Sequence, residues 1–393
     1  MTYANGRIIH DADAHTMETG DWLAPYLDAD LIEALGPLYG DAAVGERILG
    51  IIEESKKRKT DPEADAAARE NVIAGTKGWG GYGAFDTAER KTALDALGFQ
   101  SQLVFPTFGL GLLRRAKGDD QLYRAAHALN CAQAAFCASD RRLLLVAFVP
   151  MDDPTRALDL LEKSLALGAA AIMVSAGPPA DKRSPGHPDY DAFWAMMAEG
   201  GVPFVLHIGP GTMTQPEAYR NNGRERAADL HGGGENLRFP DFMCVGLAPQ
   251  IFLTAMVYDG VFQRHPSLRG GVIECGAGWV PSFLLQLDYG YKSFQRTDNY
   301  LQDMDMKPSE YIRRAIKVTP FAGEDVGVLI QQAGPEMFLF SSDYPHPEGT
   351  RDPIGQFEKS LGDFDEEVKD KFYRTNFEGF MGDALKRVAV APA

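Results

Sequence analysis

The stretch Phe338-Leu339-Phe340-Ser341-Ser342-Asp343-Tyr344-Pro345-His346 begins as an apolar run and ends in side chains that can bind a metal ion or transfer a proton. Three more apolar runs end in such groups, and a fourth is their uncharged counterpart: Ile8-Ile9-His10-Asp11-Ala12-Asp13-Ala14-His15, Pro203-Phe204-Val205-Leu206-His207, Val272-Ile273-Glu274-Cys275 and Leu103-Val104-Phe105-Pro106. An apolar strand with a carboxylate or imidazole at its C-terminal tip is how an eight-stranded β/α barrel presents catalytic groups. The pattern therefore predicts a metal-dependent barrel enzyme.

Short apolar or β-branched runs alternate with stretches of helical period along the whole chain. The predicted strands are residues 8–13, 101–105, 143–149, 169–174, 202–207, 271–274, 316–319 and 337–342. The predicted helices are residues 87–97, 121–138, 154–167, 189–199, 245–263 and 325–333. Eight strands alternating with helices predict an α/β fold closed into a (β/α)8 TIM barrel. A doubly wound nucleotide-binding fold is the alternative, but no GxGxxG or GxxxxGK stretch follows an early strand.

Two intervals are too long to be simple loops. Residues 21–85 follow the first predicted strand and residues 210–241 follow the fifth, and each contains a glycine-rich stretch, at 78–83 and 231–234. Segments that follow barrel strands lie at the catalytic end, so we expect two insertions that line or cover the site, or else flexible insertions without function. Because a barrel with insertions accounts for 393 residues, we predict a single domain over residues 1–393.

Composition excludes several classes of partner. The formal net charge is -16 and the one short basic run is 56–59, which argues against nucleic acid or an anionic membrane as a partner. The four cysteines form no CxxC pair, which argues against a disulfide framework and fits a reducing compartment. No run approaches the roughly 18 apolar residues of a membrane span. We therefore expect a cytoplasmic protein with no membrane partner.

Four strand-tip residues are the predicted metal ligands. Asp13 and His15 are two positions apart on one strand, so their side chains share the face that points into the barrel, with Asp11 one layer deeper. A buried hydrogen-bonding pair is the alternative reading of Asp13 and His15. With His207 and Asp343 they offer two oxygen and two nitrogen donors. Such a set suits one divalent zinc or manganese ion.

Glu274, Asp343 and His346 are the candidate catalytic residues. Of Glu274 and Cys275 only one can face the interior, and we predict that Glu274 does so as a ligand or an acid/base group. Asp343 has a helix N-cap as its alternative role. His346 follows Asp343 by three residues and is a candidate for binding substrate or the metal's surroundings. Weaker candidates for substrate contact are His231 and the loop arginines Arg183, Arg220, Arg224 and Arg226.

Five motifs together suggest a family: Asp13-Ala14-His15, Leu103-Val104-Phe105-Pro106-Thr107-Phe108-Gly109, His187-Pro188-Asp189-Tyr190-Asp191-Ala192-Phe193-Trp194, Glu274-Cys275-Gly276-Ala277-Gly278-Trp279-Val280-Pro281 and Ser342-Asp343-Tyr344-Pro345-His346. In this order the chain resembles the amidohydrolase superfamily, in the branch related to aminocarboxymuconate semialdehyde decarboxylase. The resemblance implies a TIM barrel, one divalent metal ion, a homodimer, and a small carboxylic acid, often aromatic or ring-derived, as substrate. Decarboxylases of this branch commonly have His-x-His or Glu-x-His where this chain has Asp13-Ala14-His15, and a histidine where it has Glu274-Cys275.

Three functions remain open from the sequence. A nonoxidative decarboxylase would bind the substrate carboxylate at the metal ion and protonate carbon from Asp343 or another acid. A hydrolase would use metal-activated water, with Asp343 or Glu274 as general base. A metal-free binding or scaffold barrel is the non-enzyme alternative, and metal content separates it from both enzymes.

Overall fold

A parallel sheet forms the centre of the computed structural model, which describes residues 2–39, 42–179, 182–209, 212, 216–224 and 239–391. Its strands are β1 His10–Thr16, β2 Ser101–Pro106, β3 Leu143–Phe148, β4 Ala171–Met173, β5 Phe204–His207, β6 Gly270–Ile273 and β7 Ile316–Val318. Each strand pairs in parallel with the next in chain order. The predicted α/β class is therefore confirmed, with a curled seven-stranded sheet of TIM-barrel type among the described residues.

The predicted eighth strand was wrong as a regular strand. In its place lies an extended segment, residues 338–346. It makes two isolated parallel bridges, Phe338 with Val318 of β7 and Tyr344 with Ala14 of β1. The backbone N–H of Ala12 also donates to the carbonyl of Phe340, at 3.0 Å. A regular strand does not form, because the N–H of Phe340 donates to the carbonyl of Phe372 and that of Ser342 donates to the side chain of Asp11, so neither joins a strand ladder. The segment nevertheless lies between the two edge strands.

The α-helices are Ala29–Leu35, Ala42–Lys56, Pro62–Glu70, Thr87–Leu97, Gly109–Leu113, Gly118–Cys137, Pro154–Ala166, Asp191–Gly200, Glu217–Arg220, Phe239–Val245, Leu247–Tyr258, Val261–Arg264, Val280–Phe294, Asn299–Gln302, Pro308–Ala315, Val326–Ala333, Pro353–Leu361, Glu366–Asp370 and Asn376–Met381. The helix predicted over 245–263 is instead three helices. Its breaks fall at Gly246 and at Asp259-Gly260, where Gly260 has φ +75°, a left-handed conformation that glycine adopts without steric cost.

The sheet is buried on both faces, as parallel sheets covered by helices are. Every residue of β1, β2, β4, β5 and β6 is buried. Side-chain size is matched between neighbouring strands: a Cβ on Gly270 of β6 would lie 2.2 Å from the ring of Phe204 in β5. This close approach explains why β6 begins with glycine, and it holds β5 and β6 in the register that pairs His207 with Ile273.

The two long intervals differ in what the structure describes. Between β1 and the helix Thr87–Leu97, the described residues form three α-helices and three short 3-10 helices. The backbone of this interval reaches the end of the sheet, where the N–H of Gly78 donates to the carbonyl of Pro345 at 2.7 Å. Most of the predicted 210–241 insertion, including His231, lies outside the described residues. No helix in the described part of the chain is both long and apolar enough to cross a membrane.

Candidate metal centre

All six predicted site residues meet at the C-terminal end of the sheet. Asp13 and His15 come from β1, His207 ends β5, and Glu274 follows β6. His15 Nε2 lies 3.2 Å from Asp13 Oδ1 and 3.9 Å from Glu274 Oε2. His207 Nε2 lies 3.4 Å from the same Asp13 oxygen and 3.2 Å from Glu274 Oε2. These four side chains form a buried cluster in which one ligand atom of each lies within 4.8 Å of the others.

Asp343 and His346 adjoin this cluster from the extended segment. Asp343 Oδ1 lies 3.5 Å from His15 Nε2 and 3.0 Å from His346 Nδ1. With His15 and Glu274 they form a second group of potential ligands that also lie within 4.8 Å of one another. The imidazoles of His15 and His346 stack with their centroids 3.8 Å apart. The two groups therefore share His15 and Glu274 and form one continuous site.

Hydrogen bonding orients the imidazole of His207 toward the carboxylates. Its Nδ1 donates to the backbone carbonyl of Ile208 at 2.7 Å, so the lone pair of Nε2 faces Asp13 and Glu274. His15 Nε2 and Asp343 Oδ1 are both buried and make no hydrogen bond of acceptable geometry within the described part of the chain. Lone pairs and carboxylate oxygens that converge without protons between them fit a bound cation.

Burial and charge act together on the two β1 side chains. Burial lowers the pKa of His15 to about 4, so that its imidazole is neutral at neutral pH and able to bind a metal ion. Burial alone would raise the pKa of Asp13, but its interactions with the neighbouring imidazoles of His207 and His15 lower that pKa below its ordinary value. Three carboxylates in one buried site are costly without a cation to compensate them. The described cluster is therefore suited to a metal ion.

Backbone irregularities place the acidic side chains. Glu274 and Asp343 both have φ +53°, in the left-handed region that non-glycine residues seldom adopt. The register of β1 on β2 also shifts between Asp11 and Ala14, where β1 has one residue more than its partner. Strained residues and β-bulges concentrate at functional sites, where they redirect side chains. Here they turn Asp13, Glu274 and Asp343 toward the histidines. Cys275 packs in the core, as the sequence predicted.

Asp11 ties β1 to the extended segment. Its fully buried carboxylate accepts from the N–H of Ser342 at 2.8 Å, the hydroxyl of Ser342 at 2.6 Å and the side-chain amide of Gln102 at 2.8 Å. Burial raises the pKa of Asp11 to about 7, against the effect of these donors. From the sequence, Asp11 was expected one layer below the ligands, but its partners Gln102 and Ser342 were missed. Each is a polar residue inside a predicted apolar strand, and this was the signal that could have identified them.

Thr107 and Glu18 support His346 and were also missed. The Thr107 hydroxyl donates to the carbonyl of Thr16 at 2.8 Å and lies 2.9 Å from His346 Nε2. Glu18 is buried, and its carboxylate accepts from the backbone N–H groups of Thr107 and Phe108 at 2.9 Å and of Gly109 at 3.1 Å. The turn after β2 is therefore held by a side chain from the turn after β1, a contact with no local sequence signal.

Replacing Glu18 with glutamine is expected to lower the free energy of unfolding by about 2 kcal/mol, because one amide N–H then faces a backbone N–H in a buried place. Chemical denaturation measures the change. The matched control is Asp153→Asn, whose carboxylate accepts from only one N–H, that of Arg156 at 2.8 Å, and should cost about 1 kcal/mol or less. Equal losses in the two variants would contradict the role given to Glu18.

Two cavities adjoin the cluster. One of about 490 Å³ is lined by Asp13, Glu274 and Asp343 together with residues of the segments that follow β7 and the extended segment. The other, of about 820 Å³, extends from His207 toward β3, β4 and the helix Leu247–Tyr258. Arg183 lines the larger cavity, whereas Arg226 and the side chain of Arg220 lie outside the described residues. Among the described residues, cavities therefore adjoin the centre on two sides.

A comparison with protein-family models matches residues 11–376 to the amidohydrolase model. The chain belongs to the amidohydrolase family. The match includes every one of the six converging side chains and almost the whole sheet. Membership of this family supports an enzymatic function, and it agrees with the resemblance found in the five sequence motifs.

Solved structures of similar fold include an amidohydrolase and decarboxylases of aromatic acids. An amidohydrolase from Mycobacterium avium subsp. paratuberculosis K-10 has TM-score 0.73 and 23% identity, with 96% of this chain and 100% of that chain covered. The 5-carboxyvanillate decarboxylase of Novosphingobium aromaticivorans, solved with manganese and 3-methoxy-4-hydroxy-5-nitrobenzoic acid, has TM-score 0.64 and 17% identity, with 96% and 97% covered. A dihydroxybenzoic acid decarboxylase from Polaromonas sp. JS666, solved with manganese and 2-nitroresorcinol, has TM-score 0.61 and 17% identity, with 98% of each chain covered. At these identities the similarity shows the fold.

Proposed function

We propose that this protein is a metal-dependent enzyme that removes carbon dioxide, without an oxidant, from an aromatic or ring-derived carboxylic acid. The observation that carries the proposal is the buried convergence of Asp13, His15, His207 and Glu274 in a chain of the amidohydrolase family. Manganese-bound decarboxylases of aromatic acids among the structures of similar fold support it. The predicted single domain over 1–393, full (β/α)8 closure, the homodimer and the cytoplasmic location stay predictions.

We infer that Asp13, His15, His207 and Asp343 would hold one divalent ion, zinc or manganese, with Glu274 beside them as a fifth ligand or an acid/base group. A divalent ion held there would supply electrostatic stabilisation of the negative charge that develops as the carboxylate leaves. The donors are mixed imidazole nitrogen and carboxylate oxygen, which both metals accept. Their burial excludes most water, so that these charges act in a medium of low dielectric constant.

The protein's own groups would carry the proton. The bond between the ring carbon and the carboxylate carbon breaks, carbon dioxide leaves, and the electron pair stays on the ring carbon. Asp343 would deliver a proton to that carbon, because its side chain is the more exposed of the cluster's carboxylates, at 14%, and lines the 490 Å³ cavity. His346, with Nδ1 3.0 Å from Asp343 Oδ1, would orient this carboxyl group.

Hydrolysis of a C–C, ester, lactone or amide bond is the second candidate. The specific observation in its favour is Glu274 at the end of β6, where Oε2 lies 3.2 Å from His207 Nε2. A second carboxylate beside Asp343 provides a general base for a water nucleophile, a step that decarboxylation does not need. The metal-free binding barrel is the third candidate, and the excess of buried carboxylates argues against it.

The deciding experiment is a substrate screen with protein loaded with manganese or zinc and with the metal-stripped protein as control. Aromatic acids with an oxygen next to the carboxylate are assayed for released carbon dioxide, and esters and lactones for hydrolysis. Metal-dependent release of carbon dioxide is the expected result. Hydrolysis without carbon dioxide release would contradict the decarboxylase proposal and support the hydrolase. Protein that binds no metal after reconstitution would contradict both enzyme proposals.

A further inference from the structure

The larger cavity differs in chemistry from the cluster it adjoins. It measures about 820 Å³, and its walls are mainly apolar, with Phe148 and Met151 near β3, Met173 of β4, and Phe252 of the helix Leu247–Tyr258. Met151, Met173 and Phe252 are buried and Phe148 is partly buried, so this wall is part of the core. Walls of this kind take up apolar ligand surface, since each square ångström of apolar area removed from water stabilises the complex.

The cavity leads to the reactive groups. His207 lines it, and the Nε2 atom of His207 lies 3.4 Å from Oδ1 of Asp13, a residue that lines the smaller cavity. A bound molecule can therefore place a polar end among the carboxylates and histidines while its apolar part lies against Met173 and Phe252. The ring of His207 is itself packed against the core, with its centroid 4.3 Å from that of the buried Phe105 of β2.

The cavity is larger than a one-ring acid would fill. Ligand pockets range over roughly 300–1,000 Å³, and 820 Å³ is in the upper part of this range. A one-ring acid would leave most of the space to water, which apolar walls hold poorly. Three cations at the cavity, Arg114, Lys182 and Arg183, face two carboxylates, that of Asp152 in the lining and that of Asp189, whose Oδ2 lies 3.1 Å from Arg183 Nε. In a chain of net charge -16 this local excess of positive charge favours entry of an anion.

We propose that the substrate is an amphipathic acid whose reacting end lies at the cluster and whose apolar body, larger than one aromatic ring, fills the 820 Å³ cavity. Fused-ring hydroxy acids and hydroxybenzoic acids with a long alkyl chain are the chemical class that fits. The assignment of the reacting end rests on the proposed function, whereas binding of the apolar body does not. The binding measurement below therefore tests the cavity independently of turnover.

The test is isothermal titration of manganese-loaded protein with 2-hydroxybenzoate, 3-hydroxy-2-naphthoate and 2-hydroxy-6-nonylbenzoate. Affinity is expected to rise through the series, by about 100-fold or more from the first to the last, because each added apolar group is buried. Ala255→Trp places an indole in the cavity from the helix Leu247–Tyr258. It should abolish most of this gain and leave the weak binding of 2-hydroxybenzoate unchanged.

Two further variants separate a filled cavity from a disturbed fold. Ile251→Asp changes a 66% exposed side chain that lines the cavity, and it should weaken the nonyl compound without altering stability. Ala88→Trp, on an exposed position of the helix Thr87–Leu97, is the control and should bind as the wild type does. Equal affinity of the wild type for all three acids would overturn the cavity proposal. So would a rise in affinity through the series that is as large in both Ala255→Trp and Ile251→Asp as in the wild type. Graded binding without carbon dioxide release would support it and count only against the decarboxylase.

Discussion

His207→Ala is expected to lose its metal ion: wild-type protein should carry about one zinc or manganese per chain, and the variant only background levels. The imidazole Nε2 lies within 3.4 Å of both Asp13 Oδ1 and Glu274 Oε2, so its removal takes a neutral donor from between two carboxylates. Even residues that only orient metal ligands change affinity by roughly 10–100-fold, and a direct ligand should exceed this. Metal-dependent turnover should disappear with the ion.

The measurement is metal analysis by mass spectrometry on protein purified without a histidine tag. His187→Ala is the matched control, because this histidine lies in a half-exposed loop outside the cluster, where its Nδ1 accepts from the N–H of Asp189 at 3.2 Å. Far-ultraviolet circular dichroism checks that both variants are folded. Full metal content in a folded His207→Ala protein would remove His207 from the ligand set, while loss of metal in His187→Ala would point to adventitious binding.

Asp343→Asn is expected to keep the metal ion and lower kcat by about 10²–10⁴-fold, the usual contribution of a positioned acid or base. Asparagine has nearly the same shape and tolerates the left-handed backbone, φ +53°, that Asp343 adopts. Asp343 is also one of the proposed ligands, but the amide oxygen of asparagine can take the place of its carboxylate oxygen, and Asp13, His15, His207 and Glu274 remain to hold the ion. The substitution therefore removes an ionisable oxygen next to His346 and leaves the fold unchanged.

Steady-state kinetics and metal content are measured together for this variant. Asp303→Asn, an exposed aspartate outside the site, is the control and should have wild-type kinetics. A fall in kcat with full metal content is the predicted pair of results. A kcat equal to that of the wild type would show that Asp343 does not transfer the proton. A loss of metal in parallel with kcat would show that Asp343 acts mainly as a metal ligand.

Local sequence patterns carried much of the information about the fold. Residues 101–106 and 143–148 are strands within one residue of their predicted ends, since short apolar runs bounded by polar residues suit buried parallel strands. The same reasoning failed at 337–342, because the N–H groups of Phe340 and Ser342 donate to the carbonyl of Phe372 and the carboxylate of Asp11 instead of to a neighbouring strand. It also overextended the helix predicted over 245–263, whose glycines break it.

The chain's strand-tip residues were identifiable from sequence because parallel strands bring their C-terminal ends to one edge, whatever their order. Asp13, His15, His207, Glu274, Asp343 and His346 could therefore be expected to meet. Only the tertiary structure decided which atoms face one another, because the bulge in β1 and the left-handed backbones at Glu274 and Asp343 depend on neighbouring strands. It alone also decided the roles of Asp11 and Glu18, whose partners at 102, 342 and 107–109 are distant in sequence. The 820 Å³ cavity beside His207 is a further tertiary feature, since its walls come from strands and helices that no local pattern relates to one another.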